Sequence, residues 1–187
     1  MDSDSKEDIE EKKIASEKMF SGKLLHVYKD SVQLPDGNNT IREWIDHPGA
    51  SAIIPLFDDG TTLLVEQYRY PVRRVMLEIP AGKRDGNEPF IETASRELDE
   101  ETGWKAGKIV DLGFSFPVIG YSNEEIHFFL ATDLEPGDAE QEEDEFLRIH
   151  RIPFTDALNL VYDGTIQDMK TIVGLQLVHR FISESTS

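Results

Sequence analysis

The chain has 187 residues, 39% hydrophobic and 30% charged, enough for one well-buried domain with a small extension. The absence of cysteine excludes disulfides, zinc thiolates and thiol catalysis, and no apolar run approaches the roughly 18 residues of a membrane span. A net charge of −18 argues against a nucleic-acid backbone as partner, because it leaves no basic surface to meet one.

The start, MDSDSKEDIEEKK, carries no apolar signal core, so a cytoplasmic protein is expected. Residues 1–14 are charge-rich, lack an apolar stripe and read as a frayed helix or disorder. Strand-like runs at Leu24–Leu34 and Thr40–Asp46 flank Pro35-Asp36-Gly37-Asn38-Asn39, a hairpin signal, so residues 15–46 are expected to be β-rich. Ser51–Phe57 and Thr61–Tyr70, around Asp58-Asp59-Gly60, read as a second hairpin whose apolar runs suit a buried sheet. A helix follows from Pro89, suited to a first turn, to Gly103, a natural stop. Its Ile91, Ala94 and Leu98 form an apolar stripe.

Beyond it, Lys108–Phe116 and Glu125–Asp133 read as strands, joined by a loop over Pro117–Glu124. The dense acidic loop Asp138–Glu145 leads to a strand near Phe146–Ile152. Thr155 reads as the N-cap of a helix to about Tyr162, and a last amphipathic helix runs from about Asp168 to Ile182, with Ile172, Leu175, Leu177 and Val178 inward. There are no internal repeats. This order of elements predicts an α/β/α sandwich around a mixed β-sheet, with residues 47–187 as the main domain.

The chemistry concentrates in GKRDGNEPFIETASRELDEETGW, Gly82 to Trp104. Gly82, Glu88, Arg96, Glu97, Glu100, Glu101 and Gly103 stand at fixed spacings that arise by chance in about one chain in 10⁵. At about 100° per residue, Glu97, Glu100 and Glu101 share an arc of roughly 100° on the helix. Three carboxylates that close repel one another unless a cation lies among them. An all-oxygen ligand set favours Mg²⁺ or Mn²⁺ over Zn²⁺. The competing reading is a solvated acidic face, which accounts for one Glu pair but not for the glycines and the arginine.

The stretch resembles the Nudix box at every defined position, with Trp104 in the last hydrophobic slot, where an aliphatic residue is more usual. The resemblance implies the Nudix fold with an N-terminal β-rich extension, and hydrolysis of a nucleoside diphosphate linked to another group. Val65-Glu66-Gln67-Tyr68-Arg69, Glu78-Ile79-Pro80-Ala81-Gly82, Arg42-Glu43 before His47-Pro48-Gly49, and Glu143-Asp144-Glu145-Phe146 resemble the ADP-ribose pyrophosphatase and nucleoside diphosphate sugar hydrolase branch. Ile119 stands where many ADP-ribose enzymes carry proline, which points to a broader nucleotide-sugar range.

On this resemblance Glu97 and Glu101 are direct metal ligands, with the Ala81 carbonyl beside them and Glu100 joining at a further cation. Arg96 orients the carboxylates, with or without Glu88. Glu145 is the candidate general base, and Glu142, Glu143 and Asp144 compete for that role. Arg69 is the candidate clamp for a phosphate or terminal ribose, and Arg42 with Glu43 for the nucleoside. Leu24 either lines the base slot or is an ordinary core leucine. Trp44 and Trp104 read as packing residues.

The resemblance also implies a homodimer in which N-terminal strands are exchanged, with residues 15–46 as the dimerisation segment. With so negative a chain, a pyrophosphate substrate demands bound cations to reverse the local sign. The rival readings are hydrolysis of another diphosphate-linked metabolite, such as a dinucleotide or damaged nucleotide, and a non-catalytic nucleotide-sugar sensor. The complete glutamate set weighs against the sensor.

Overall fold

A computed structural model describes residues 9–137 and 146–185. They divide into two units: the described residues up to His47 together with Val118–Glu124, and Pro48–Pro117 with the described residues from Glu125 onward. Among the described residues, no helix is long and apolar enough to cross a membrane.

The first unit is a three-stranded antiparallel sheet of β1 (Lys12–Ser21), β2 (His26–Gln33) and β3 (Asn39–Asp46), in that order. The expected turn joins β2 to β3: Gly37 N–H donates to the Leu34 carbonyl (2.9 Å), and Asp36 accepts the Asn38 N–H (2.9 Å), as Asp does in turns. Strand β1 corrects the expectation at residues 12–14, since it starts at Lys12, while residues 1–8 lie outside the described residues. All ten of its residues are exposed, so it carries no inside–outside alternation by which a strand is recognised. Trp44 stacks on Tyr28 at 5.1 Å, a packing role. The segment Val118–Glu124 adds to this unit through Ile45, whose N–H donates to the Tyr121 carbonyl (2.8 Å), and through Asn123, which accepts the His47 N–H (2.7 Å).

The second unit holds two sheets. One runs β7 (Ala81–Lys83), β4 (Ala50–Pro55), β9 (Ile126–Pro136), β8 (Trp104–Ser115). It is mixed, with β4 and β9 parallel and the other pairs antiparallel. The other runs β10 (Arg148–Pro153), β5 (Thr61–Arg69), β6 (Arg74–Glu78), all antiparallel. The expected hairpin of residues 51–70 is corrected here. The turn forms, with Phe57 N–H on the Thr61 carbonyl at 2.9 Å, but beyond the single bridge Leu56–Thr62 its two strands part into different sheets. Both faces of β4 are buried, so it gains more by pairing with β9 and β7 inside a sheet than by remaining in a two-stranded ribbon.

Side-chain alternation along β4 and β9 builds the layers. Ile53, Phe129 and Ala131 face Ala94 and Leu98 of helix α1 (Phe90–Thr102). Ala52, Ile54, Phe128 and Leu130 join the opposite core with Leu158 of α2 (Phe154–Tyr162) and Leu175 and Val178 of α3 (Met169–Ser185). The unit is thus a helix–sheet–helix sandwich, as expected. Helix α2 follows Pro153 and has no side-chain cap, so Thr155 lies inside the helix instead of capping it. Helix α3 is capped by Asp168, which accepts the Thr171 N–H at 3.0 Å and its hydroxyl at 2.6 Å.

Candidate active site

Helix α1 carries the candidate chemistry and is fixed at both ends. Gly103, at φ 72°, ends it in the left-handed conformation that a side chain resists. At the other end Phe90 stacks 3.7 Å from His127, and the Arg84 guanidinium lies over the Phe90 ring at 4.6 Å. Phe90 seats the first turn, so Ile91, expected inward, is exposed. Ala94 and Leu98 are wholly buried.

The glutamates of α1 divide their work by depth. Glu101 is buried and accepts a hydrogen bond from the Ala81 N–H at 2.9 Å, which ties the helix to β7. The Glu97 carboxylate lies directly over Gly82, where a Cβ would overlap it. Glu100, further round the helix, is more open to solvent.

Arg96 spans the group: Nη1 donates to Glu97 (2.7 Å) and Glu100 (2.8 Å), and Nη2 to Glu88 (3.1 Å) and the Lys83 carbonyl (3.3 Å). Burial works against the charge of Arg96, but Glu97 beside it and the hydrogen bonds to Glu88, Glu100 and Glu97 outweigh this and hold the guanidinium above its usual range.

Glu88 is a cap. It accepts the Asp85 N–H (3.0 Å) and the Thr93 hydroxyl (2.9 Å), and these, with Arg96, lower its pKa to about 2.

The donor set fits a hard divalent cation. It offers only oxygen: the Glu97 carboxylate lies over Gly82 of β7, where a missing Cβ leaves room, and Glu101 meets the neighbouring Ala81 N–H. As the side chains stand, no three Asp, Glu, His or Cys among the described residues are drawn together around a common point; basic partners and backbone N–H groups hold the acids instead.

Arg69, at the end of β5, meets Glu78 in a two-pronged pair, Nε to Oε1 and Nη2 to Oε2, both 2.7 Å. Its charge is reinforced first by Glu78 and, more weakly, by Glu101 and Asp168. Glu78 is almost fully buried. Burial would push its pKa up, yet Arg69 and the nearby Lys170 charge overcome this and hold it below the ordinary carboxylate range. Lys170, Asp168 and Thr171 were not anticipated from the sequence; their only sign is the Asp-x-x-Thr that opens α3.

Of the other expected site residues, Arg42, Glu43 and Leu24 belong to the first unit. Arg42 pairs with Glu11, Glu43 sits opposite Lys29, and Leu24 is exposed, which removes its reading as a core leucine. Glu142, Glu143, Asp144 and Glu145 lie outside the described residues. Trp104 packs edge-on against Phe57 at 4.8 Å, as a packing residue would.

A sandwich bearing Gly82, Glu88, Arg96, Glu97, Glu100 and Glu101 in this arrangement is matched by the NUDIX domain model over residues 46–172, and the chain belongs to the NUDIX family. It is 40% identical over 170 residues to the ADP-ribose pyrophosphatase of Bacillus subtilis (strain 168), covering 90% of this chain and 92% of that protein. It is 37% identical over 170 residues, with the same coverage, to the methanol dehydrogenase activator of Bacillus methanolicus. A GDP-mannose pyrophosphatase of Yersinia enterocolitica is 35% identical over 173 residues, covering 84% of this chain and 90% of its own length. The crystal structure of an ADP compounds hydrolase superposes with a TM-score of 0.83 over 94% of this chain and 95% of that one, at 22% identity, and shares the fold.

Proposed function

We propose that the chain hydrolyses the pyrophosphate bond of ADP-ribose or another nucleoside diphosphate sugar, giving a nucleoside monophosphate and a sugar phosphate, with Mg²⁺ or Mn²⁺ as cofactor. The observation that carries this reading is the reach of Glu101 and Glu97 to Ala81 and Gly82 on β7, with Arg69 fixed by its two-pronged pair on Glu78, three residues before Ala81. A cation-binding group beside a fixed guanidinium suits a pyrophosphate. The names of the full-length relatives, ADP-ribose pyrophosphatase and GDP-mannose pyrophosphatase, support the nucleotide-sugar class.

In this reading Glu97, Glu101 and the Ala81 carbonyl hold the first cation and Glu100 a further one. Divalent cations bound there supply charge neutralisation at the phosphates and a more acidic attacking water. Arg96 keeps Glu97 and Glu100 in place between turnovers. Arg69 uses Nε and Nη2 on Glu78, so its remaining nitrogen is the one that meets a phosphate oxygen. Glu145 takes the proton as water oxygen bonds to phosphorus and the bridging P–O bond breaks, the leaving phosphate carrying the electron pair away. Glu142, Glu143 and Asp144 are the rivals for that step.

Two copies exchange N-terminal strands, so that Arg42, Glu43 and Leu24 serve the nucleoside across the dimer. The exposure of every residue of β1, Ile14, Met19 and Phe20 among them, supports a partner on that strand.

The test is a panel of nucleotide sugars, dinucleotides and nucleoside triphosphates with Mg²⁺, read as phosphate products. ADP-ribose or another nucleotide sugar should be cleaved most efficiently. A clear preference for dinucleotides or triphosphates overturns the substrate class, and binding without cleavage overturns the enzyme.

A further inference from the structure

Arg69 is held by a structure larger than the pair it forms. Glu78 closes β6 with its side chain only 2% exposed, and Oε2 accepts from both Arg69 and Lys170. Lys170, in the first turn of α3, donates also to Asp168 at 2.9 Å. Asp168 caps the same helix through Thr171, and the Thr171 hydroxyl accepts the Ile79 N–H at 2.9 Å. The end of β6 and the start of α3 are therefore joined by a closed set of hydrogen bonds, and Arg69 hangs from its outer edge. The Arg69 side chain is 42% exposed and its Nη1 has no hydrogen-bond partner among the described residues.

A guanidinium gripped at two nitrogens by an immobile carboxylate presents its third at a fixed angle, and it loses little freedom when an anion arrives. Glu78 can grip in this way only if it is itself prevented from turning. Lys170 prevents it by taking the second lone pair of Oε2 from the helix side. Without Lys170 a buried carboxylate would be left with Arg69 as its only cation, free to draw Arg69 inward and away from solvent.

We propose that Glu78 and Lys170 are positioning residues that aim Arg69 at the diphosphate of the substrate, Lys170 acting from the first turn of α3 without touching the substrate itself. This rests on the reading of Arg69 as the phosphate clamp.

The experiment is a double-mutant cycle on the Kd of ADP in the presence of Mg²⁺, measured by calorimetry, since ADP carries the diphosphate common to every candidate substrate. Arg69→Gln and Lys170→Met should each weaken binding about tenfold, the size of one lost charge-assisted hydrogen bond. The double variant should be little worse than either alone, because Lys170 acts only through Arg69. Lys170→Arg, which keeps the charge and the donor, should bind as the wild type does and serves where Lys170→Met unfolds; a Lys170→Arg variant weakened tenfold or more counts against the proposal.

If Arg69→Gln weakens ADP binding while Lys170→Met does not, or if the two losses simply add, the positioning role is overturned and Arg69 keeps its own. If the wild type fails to bind ADP, or Arg69→Gln binds it normally, the reading of Arg69 falls and this proposal with it.

Discussion

The carboxylate of Glu97 occupies the space that a Cβ on Gly82 would take, so Gly82 is the floor on which that side chain rests. Gly82→Ala should displace Glu97. The displaced group is the end of a flexible side chain, so the thermal midpoint should change little. Turnover should fall by about 10²-fold, as expected when a working group is misplaced by about an ångström. Steady-state kinetics beside a melting curve will separate the two; full activity in the Gly82→Ala variant would show that Glu97 has no fixed post.

Activity should depend on a divalent cation and vanish with excess chelator, because substrate and site are both negative. Glu101→Gln tests the same point from the protein side. Glutamine keeps an oxygen for the Ala81 N–H, so the tie to β7 survives, while the charge is lost. Turnover should drop by several orders of magnitude with an unchanged circular dichroism spectrum. Near-normal turnover in the Glu101→Gln variant would contradict the assignment.

The pKa of Glu88 is lowered from an ordinary 4.5 to about 2, first by the Asp85 N–H, then by the Thr93 hydroxyl, with Arg96 adding its share against burial. A carboxyl held down in the folded state contributes stability that is fully present above its unfolded value. That contribution should be lost as pH falls from about 4.5 towards 2. Urea unfolding across that window should show the decline, and Glu88→Gln should flatten it. An unaltered pH profile in the variant would place the acid-labile group elsewhere.

Leu98 is fully buried between α1 and the central sheet. Leu98→Ala should destabilise the fold by about 2–5 kcal/mol, the usual span for a truncated core leucine. Chemical denaturation measures it directly, and a loss below about 1 kcal/mol would mean that the sheet closes over the gap.

For the proton transfer, Glu145→Gln should lower kcat by about 10²–10⁴, the usual contribution of a general base, with little change in metal affinity. Helix glutamates engaged with cations are poor bases, since the cation depresses their basicity. A silent Glu145→Gln alongside a crippled Glu143→Gln or Glu100→Gln would move the base to the crippled position.

The part of the site that sequence exposed was the part that obeys a period. Glu97, Glu100 and Glu101 are neighbours on one helix, and that helix is bracketed by Pro89 and Gly103, so their grouping follows from local geometry. Lys170 and Glu78 are 92 residues apart and meet only because α3 packs at the end of β6, which no local signal encodes. The strands tell the same story. β9 shows its apolar run plainly, whereas β7 is three residues beside Pro80 and reads as a loop until β4 supplies its hydrogen bonds. The turn at Asp58-Asp59-Gly60 was legible, but whether its arms stay paired depended on β9, far along the chain.

The parallel pairing of β4 with β9 sets an order for the birth of the protein. On the ribosome, β4 emerges long before its central partner, and all of β5, β6, β7, α1 and β8 must be synthesised in between. Until β9 arrives, Ile53 and Leu98 have only part of the surface against which they pack. Such high contact order makes for slow, late closure and leaves apolar strands uncovered in the meantime. The acidic helix is therefore complete as a helix well before it is seated. A chain truncated before Ile126 would carry every residue of the motif and lack the strand that holds it in place.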